Sequence, residues 1–180
     1  MKRIGIDNSW CLFLDRDGVI NEEKNEDYIR NLNEFHFIPG ALETLHQITP
    51  LFQRVLLVTN QRGIGKGLMT EEDLIEIHTY LQQEILSGGG KMDAMYFAPD
   101  LSTDALNRKP NPGMAYQAVK QFPDIDLNKS IMVGNRLSDM QFGKNVGMTT
   151  VYLATTHPIE PSPDLIDYYL KDLCEIAAIL

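Results

Sequence analysis

The sequence feature that most constrains the fold is the stretch from Cys11 to Asn21, in which an apolar run ends in two aspartates. Residues 10–14 are all apolar, which is typical of a strand buried on both faces of a parallel sheet. Asp15 and Asp17 follow directly, and Gly18 supplies a turn. Because open parallel sheets bind ligands beyond the carboxyl ends of their strands, we expect both carboxylates to lie at a reaction site. Taken alone, the stretch fits a solvated acidic turn equally well.

Strands and helices alternate along the rest of the chain. Strands are predicted at residues 54–59, 94–98, 131–134, 149–153 and near 168, and helices at 40–49, 71–86, 112–122 and 137–145, with a terminal helix that ends at 180. Residues 62–67 are predicted to form a glycine-rich loop, and residues 158–163 a proline-rich connection. Alternation of this kind predicts an α/β fold, a three-layer Rossmann-like parallel sheet with helices on both faces. With 180 residues, 43% of them hydrophobic, we expect a single domain over residues 1–180.

Charge and hydropathy exclude several classes of protein. The net charge of −9 argues against nucleic-acid binding, which depends on neutralising backbone phosphates. No apolar run approaches the roughly 18 residues that span a membrane, and residues 1–7 lack a signal-peptide core. We therefore expect a cytoplasmic protein without a membrane partner, and a monomer. Cys11 and Cys174 are predicted to be buried thiols.

Four segments resemble, in order, the four motifs of the haloacid dehalogenase (HAD) phosphatases. They are Phe-Leu-Asp-Arg-Asp-Gly-Val-Ile-Asn at 13–21, Val-Thr-Asn-Gln at 58–61, Arg-Lys-Pro at 108–110 and Gly-Asn-Arg-Leu-Ser-Asp at 134–139. Each motif alone is weak, but the four together are specific. Within that superfamily, the chain is most similar to the heptose bisphosphate phosphatase and histidinol phosphatase group, from Cys11 to about Asp172.

The resemblance implies covalent catalysis by a carboxylate. Asp15 would be the nucleophile that forms an aspartyl phosphate, because a carboxylate is ionised at neutral pH without further activation. Asp17 would serve as general acid and then as general base, with a pKa raised by nearby negative charge. Thr59 and Lys109 would stabilise the transferring phosphoryl group, whose charge is spread over its oxygens. The candidate substrate-binding residues are Asn60, Gln61, Arg62, Arg108 and Arg136.

The resemblance also implies a bound Mg²⁺. Its candidate ligands are Asp15, Asp17 through its backbone carbonyl, Asn135 and Asp139. Relatives usually carry aspartate where this chain has Asn135; an amide oxygen can still bind a hard cation, but one negative charge is lost. Asp139 is a candidate to compensate. Many heptose bisphosphate phosphatases hold zinc in the loop before the motif lysine, whereas residues 98–108 contain no Cys or His, so we expect no zinc.

The spacing between motifs leaves no room for a cap domain, so we expect an open site. The leading hypothesis is a magnesium-dependent phosphatase acting on a small phosphorylated metabolite, namely D-glycero-D-manno-heptose 1,7-bisphosphate, from which it removes the 7-phosphate. Three alternatives stay open: a histidinol-phosphate phosphatase, a non-catalytic protein that binds a phosphorylated metabolite, and a receiver-like signalling module. The sequence does not decide the anomer of the sugar.

Overall fold

Six strands form one fully parallel sheet in the computed structural model, which describes residues 3–157, 162 and 164–180. Most of the predicted proline-rich connection at 158–163 lies outside the described residues. The strands are β1 (Cys11–Leu14), β2 (Arg54–Asn60), β3 (Ala94–Ala98), β4 (Ser130–Gly134), β5 (Thr149–Leu153) and β6 (Tyr168–Leu170). Their order in the sheet is β3-β2-β1-β4-β5-β6. The predicted parallel α/β sheet is confirmed.

The central position of β1 places the two aspartates. Leu14 at its end lies opposite Leu57 of β2 and Val133 of β4, and the Asp15 amide donates to the Val133 carbonyl at 3.0 Å. The strand order reverses between β1 and β4, and such a switch point opens a crevice at the carboxyl ends of the strands. Asp15 and Asp17 therefore lie in this crevice.

Helices cover both faces of the sheet, as predicted. They are α1 (Ala41–Ile48), α2 (Arg62–Gly65), α3 (Glu71–Ser87), α4 (Gly113–Gln121) and α5 (Leu137–Asn145). Alternate residues of β1 divide between two hydrophobic clusters, because successive side chains of a strand point to opposite faces. Leu12 and Leu14 pack in the cluster that contains α1 and α3, whereas Cys11 and Phe13 pack in the cluster that contains α4 and α5.

Helix α3 begins at a capping box and buries one apolar face. The Thr70 hydroxyl accepts a hydrogen bond from the Asp73 amide at 3.1 Å, and the Asp73 carboxylate accepts one from the Thr70 amide at 2.8 Å. This reciprocal capping box satisfies two amides that the first turn leaves without partners. One apolar face of α3 is fully buried and comprises Leu74, Ile77, Leu81 and Ile85.

The prediction of a loop at residues 62–67 is partly wrong, because Arg62–Gly65 forms a short helix. A side chain at Gly65 would place its Cβ 2.2 Å from the Pro99 carbonyl oxygen. This glycine thus permits a close approach by another segment of the chain itself. Gly67 adopts a φ of 69°, a left-handed conformation that glycine reaches without strain.

The end of the chain also differs from its prediction. In place of an α-helix, Leu173–Ala178 forms a 3-10 helix. Leu173, Ile176 and Ile179 are spaced three residues apart and are buried, which matches the three-residue repeat of a 3-10 helix. Cys174 falls between these buried positions, so its thiol is exposed; the prediction of a buried thiol is wrong here, although Cys11 is buried.

The connection that follows β1 lies at the site. Residues 15–40, all of them described, form a loop with a single 3-10 turn at Leu32–Glu34. The crevice is therefore bordered by loops at this point. Among the helices of the described residues, none is long and apolar enough to cross a membrane.

Candidate active site

A cavity of about 850 Å³ opens at the carboxyl edge of β1, β2 and β4. Nine of the predicted site residues line it: Asp15, Asp17, Thr59, Asn60, Arg62, Arg108, Lys109, Arg136 and Asp139. The remaining two, Gln61 and Asn135, are buried next to it, with exposed fractions of 1% and 0%. Parallel strands and their following loops therefore bring together residues that lie far apart in the sequence.

A buried lysine joins two carboxylates in this cavity. Lys109 Nζ lies 3.0 Å from Asp15 Oδ1 and 2.7 Å from Asp139 Oδ1. Burial raises the pKa of the Asp15 carboxyl to about 7, against the opposing attraction of Lys109. Burial also disfavours the charged form of Lys109, but the carboxylates of Asp139 and Asp15 outweigh it and raise the pKa of the lysine. Lys109 therefore stays cationic beside the predicted nucleophile.

Asp139 has partners on both of its oxygens. Its Oδ1 pairs with Lys109, and its Oδ2 accepts a hydrogen bond from the Arg136 amide at 3.0 Å, at the beginning of α5. A carboxylate in this place caps the helix and favours its positive end. The structure thus assigns Asp139 a structural part in the site, and direct metal ligation by Asp139 stays a prediction.

Asp17 is held by three side chains. The fully buried Arg16 donates from Nη2 to both carboxylate oxygens, at 2.9 and 3.1 Å. Asn21 Nδ2 and Gln61 Nε2 donate to it as well, each at 2.9 Å. Burial opposes ionisation, but the charge of Arg16 and the donated hydrogen bonds keep the pKa of Asp17 below its usual range. The structure thus raises the pKa of Asp15 and lowers that of Asp17, and the raised pKa expected at Asp17 beside a phosphate stays a prediction.

Asn60 and Gln61, which were predicted to bind substrate, form hydrogen bonds with other residues of the protein. Gln61 donates to the Thr59 hydroxyl at 2.9 Å in addition to Asp17, and its burial contradicts direct substrate contact. Asn60 pairs with the main chain of Lys109: its Oδ1 accepts from the Lys109 amide at 2.9 Å and its Nδ2 donates to the carbonyl at 3.1 Å. Asn60 therefore holds the lysine next to Asp15.

The three predicted arginines line the cavity and differ in their hydrogen-bond and ion-pair partners. Arg136 pairs with Glu23, and Arg108 donates to the Leu101 carbonyl. Arg62 has no acidic partner among the described residues. Lys66, which also lines the cavity, lies with Nζ 5.1 Å from the centre of the Tyr28 ring. Arg62, Lys66, Arg108 and Arg136 thus line the cavity together with Asp15, and their charges suit an anionic group on a ligand.

Asn135 offers an oxygen suited to a cation. The residue is fully buried, and its Oδ1 has no hydrogen-bond partner among the described residues. Leaving a buried polar atom unpaired is costly, and this oxygen can accept a further partner such as a cation. Like the Asp15 carboxylate and the Asp17 carbonyl, it is an oxygen donor of the kind that Mg²⁺ prefers, and ligation by these three groups stays a prediction. The described residues contain no cluster of three or more His, Cys, Asp or Glu side chains placed to hold a metal.

The sequence analysis missed Arg16 and Glu23. Arg16 lies inside the first motif, and its position between two aspartates was the only signal of its role. Glu23 lies in a polar stretch that reads as a solvated loop, yet its side chain is only 11% exposed and contacts Asn135 and Arg136. No sequence pattern pointed to it, because its partners lie more than a hundred residues away.

Comparisons with known proteins identify relatives of this chain. The family model described as HAD-hydrolase-like matches residues 106–175. The chain is 39% identical, over 77% of its length and 74% of the relative, to the D-glycero-alpha-D-manno-heptose-1,7-bisphosphate 7-phosphatase of Mycobacterium bovis. It is 32% identical, over 94% of its length and 96% of the relative, to the D-glycero-beta-D-manno-heptose-1,7-bisphosphate 7-phosphatase of Pasteurella multocida.

A solved structure has the same fold. The D,D-heptose 1,7-bisphosphate phosphatase from B. bronchiseptica, complexed with magnesium and phosphate, superposes with a TM-score of 0.82. The two chains are 26% identical, and the match covers 94% of this chain and 96% of the other. These findings do not support the receiver-like alternative. The chain belongs to the HAD-like phosphatases, in the family of the heptose 1,7-bisphosphate phosphatases.

Proposed function

We propose that this protein is a magnesium-dependent phosphomonoesterase that removes the 7-phosphate of D-glycero-D-manno-heptose 1,7-bisphosphate. The observation that carries the proposal is the buried Asp15 carboxylate at the tip of β1, 3.0 Å from Lys109 Nζ. This arrangement offers a nucleophile together with a fixed positive charge. Both are needed where a carboxylate attacks a phosphate dianion.

In the first step, an oxygen of Asp15 attacks phosphorus. The bond between phosphorus and the ester oxygen of the sugar breaks, and that oxygen takes a proton from the Asp17 carboxyl. The negative charge of the bound phosphate raises the pKa of Asp17 and so favours the protonated form that this step requires. Lys109 and the Thr59 hydroxyl contact the phosphoryl oxygens. The products are the sugar alcohol and an aspartyl phosphate on Asp15.

In the second step, water cleaves the aspartyl phosphate. Asp17, now ionised, takes a proton from the water, whose oxygen forms a bond to phosphorus as the bond to Asp15 breaks. Inorganic phosphate leaves and Asp15 is regenerated as a carboxylate. The hydrogen bonds from Arg16, Asn21 and Gln61 hold Asp17 in the ionised form that this step uses.

Asp15, the Asp17 carbonyl and Asn135 Oδ1 would hold Mg²⁺, which would neutralise charge on the phosphate and favour the ionised nucleophile. Asp15 is the residue on which this effect matters most, since burial raises its pKa to about 7.

The cations of the cavity wall support a substrate with a second anionic group. Arg62, Lys66 and Arg108 line the cavity and form no ion pair with an acid among the described residues. Guanidinium groups pair well with phosphate oxygens. We expect replacing Arg62 with methionine to raise KM for the bisphosphate more than for the corresponding heptose 7-phosphate.

A phosphate-release assay tests the proposal. The compounds are the α and β anomers of the heptose bisphosphate and histidinol phosphate, each with and without Mg²⁺, beside the variant Asp15→Asn. We expect release from at least one heptose anomer, dependence on Mg²⁺, and loss of at least about 10³-fold in kcat for Asp15→Asn. Unchanged turnover in that variant would refute the nucleophile.

Other outcomes would select the alternatives. Faster release from histidinol phosphate would make the protein a histidinol phosphatase. Tight binding of the bisphosphate without release would make it a non-catalytic binding protein. The two anomers enter the assay because similar relatives act on each of them, according to their names.

A further inference from the structure

Glu23 lies where the loop after β1 meets the end of β4. Its Oε2 accepts hydrogen bonds from Asn135 Nδ2 at 2.9 Å and from the Thr156 hydroxyl at 2.8 Å. Its Oε1 pairs with the Arg136 guanidinium, and Oε2 lies 3.4 Å from His157 Nε2. A glutamate with four such neighbours is part of the site, although nothing in the proposed reaction uses it.

These contacts fix the orientation of the Asn135 amide. Nδ2 donates one hydrogen to Glu23 and the other to the Thr156 hydroxyl, at 2.6 Å. Thr156 in turn donates its own hydrogen to Glu23. Every hydrogen of this triad is therefore used. The reverse orientation would set the amide oxygen against a carboxylate oxygen, with no hydrogen between them.

The fixed amide leaves Asn135 Oδ1 on the opposite side. That atom is buried and has no partner within the part of the chain that the structure describes. Gly18 lies against the same amide, since a Cβ there would be 2.0 Å from Nδ2. The loop that carries Asp15 and Asp17 is therefore packed on Asn135, and the three oxygens proposed to hold a cation belong to neighbouring segments.

Glu23 also brings a negative charge close to Asn135. An amide oxygen is neutral, so Asn135 contributes a dipole and no formal charge to a cation. Glu23 lies one hydrogen bond behind it, and its carboxylate polarises the amide and adds negative charge nearby. Groups in this position orient metal ligands and commonly change metal affinity by 10 to 100-fold.

We propose that Glu23 and Asn135 act as one unit of the cation site: Glu23 is a positioning residue that holds Asn135 Oδ1 toward a divalent cation and supplies the charge that the amide lacks. The inference rests on the proposed magnesium dependence. It predicts that the polarity of the hydrogen bond can be reversed. In the double variant Glu23→Gln and Asn135→Asp, the side-chain amide at position 23 donates to the carboxylate at position 135, and the total charge is unchanged.

The experiment measures Mg²⁺ affinity by calorimetry on the full chain without substrate. The proteins are the wild type, Glu23→Gln, Asn135→Asp and the double variant, with His157→Gln as a control that removes another neighbour of Glu23. We expect Glu23→Gln to weaken binding by about tenfold or more. The double variant should bind within about threefold of wild type, and the control should match wild type. Asn135→Asp alone should lower the melting temperature of the metal-free protein, because two carboxylates then face each other.

Each result decides the proposal. Equal affinity of wild type and Glu23→Gln would overturn it, as would a double variant that binds no better than Glu23→Gln, since a merely structural Glu23 cannot be rescued at position 135. Mg²⁺ binding weakened to the same extent in His157→Gln would also overturn the proposal, because Glu23 would then act only by holding its loop in place. If the wild type binds no Mg²⁺ at all, the proposed magnesium dependence fails too, which the phosphate-release assay detects separately.

Discussion

Asn60→Ala separates positioning from substrate binding. The wild-type amide makes two hydrogen bonds with the main chain of Lys109, at 2.9 and 3.1 Å. Each such bond contributes about 1 kcal/mol net, so the variant loses about 2 kcal/mol of the free energy that holds Lys109 in place. If that ordering has to be regained in the transition state, kcat falls by up to about 30-fold.

The split between kcat and KM is the deciding measurement. A residue that only holds Lys109 should lower kcat and leave KM within about twofold, because the lysine acts on charge that develops in the reaction. Steady-state kinetics on the preferred sugar phosphate measure both parameters. Gln82→Ala is the matched control: it loses one hydrogen bond from a side-chain amide to the main chain, at 3.1 Å from the Met92 carbonyl, far from the cavity. An increase in KM with unchanged kcat in Asn60→Ala would refute the reasoning.

Three further predictions concern stability and charge. Burial and the Arg16 charge lower the pKa of His78 to about 3. The folded protein therefore keeps a neutral imidazole, which costs stability once the pH falls below the ordinary pKa of histidine. Between pH 7 and pH 5 the wild type should lose about 2 kcal/mol of unfolding free energy relative to His78→Gln, measured by urea denaturation. Equal pH slopes would contradict this. Lys109→Met should cost about 3–5 kcal/mol in the same assay, since two buried carboxylates lose their cation, and kcat should fall by more than about 10²-fold; a stable, active variant would argue against the pairing. Thr70→Ala should lower stability by about 1 kcal/mol and leave kcat unchanged, and an effect below about 0.3 kcal/mol would show that the cap is dispensable.

The strands were predictable from sequence because each is a short apolar run followed by a turn. The residues of β3 and β5 were predicted as the structure has them, and α5 as well. The carboxyl-terminal end of the chain and residues 62–65 were predicted less well. In both places short-range propensity gives way to contacts with distant segments, as the approach of Gly65 to the Pro99 carbonyl shows.

The residues that could carry the chemistry were recognisable from short motifs in the chain. Two aspartates after a buried strand, a threonine, a lysine and a glycine-led fourth motif are local patterns, and the parallel sheet places their strand ends at one edge. The resemblance of these patterns to the HAD motifs then implied a nucleophile, a positive charge and a set of oxygen donors.

The separate roles of these residues follow from contacts between distant segments of the fold. It placed Asn60 on the Lys109 main chain, Gln61 beneath Asp17, and Glu23 behind Asn135. The pKa values of Asp15 and Asp17 likewise move in opposite directions because one is buried with a shared lysine and the other is held by Arg16. Hydrogen bonds and desolvation depend on distances of a few ångströms between segments far apart in the chain, and no local pattern in the sequence records those distances.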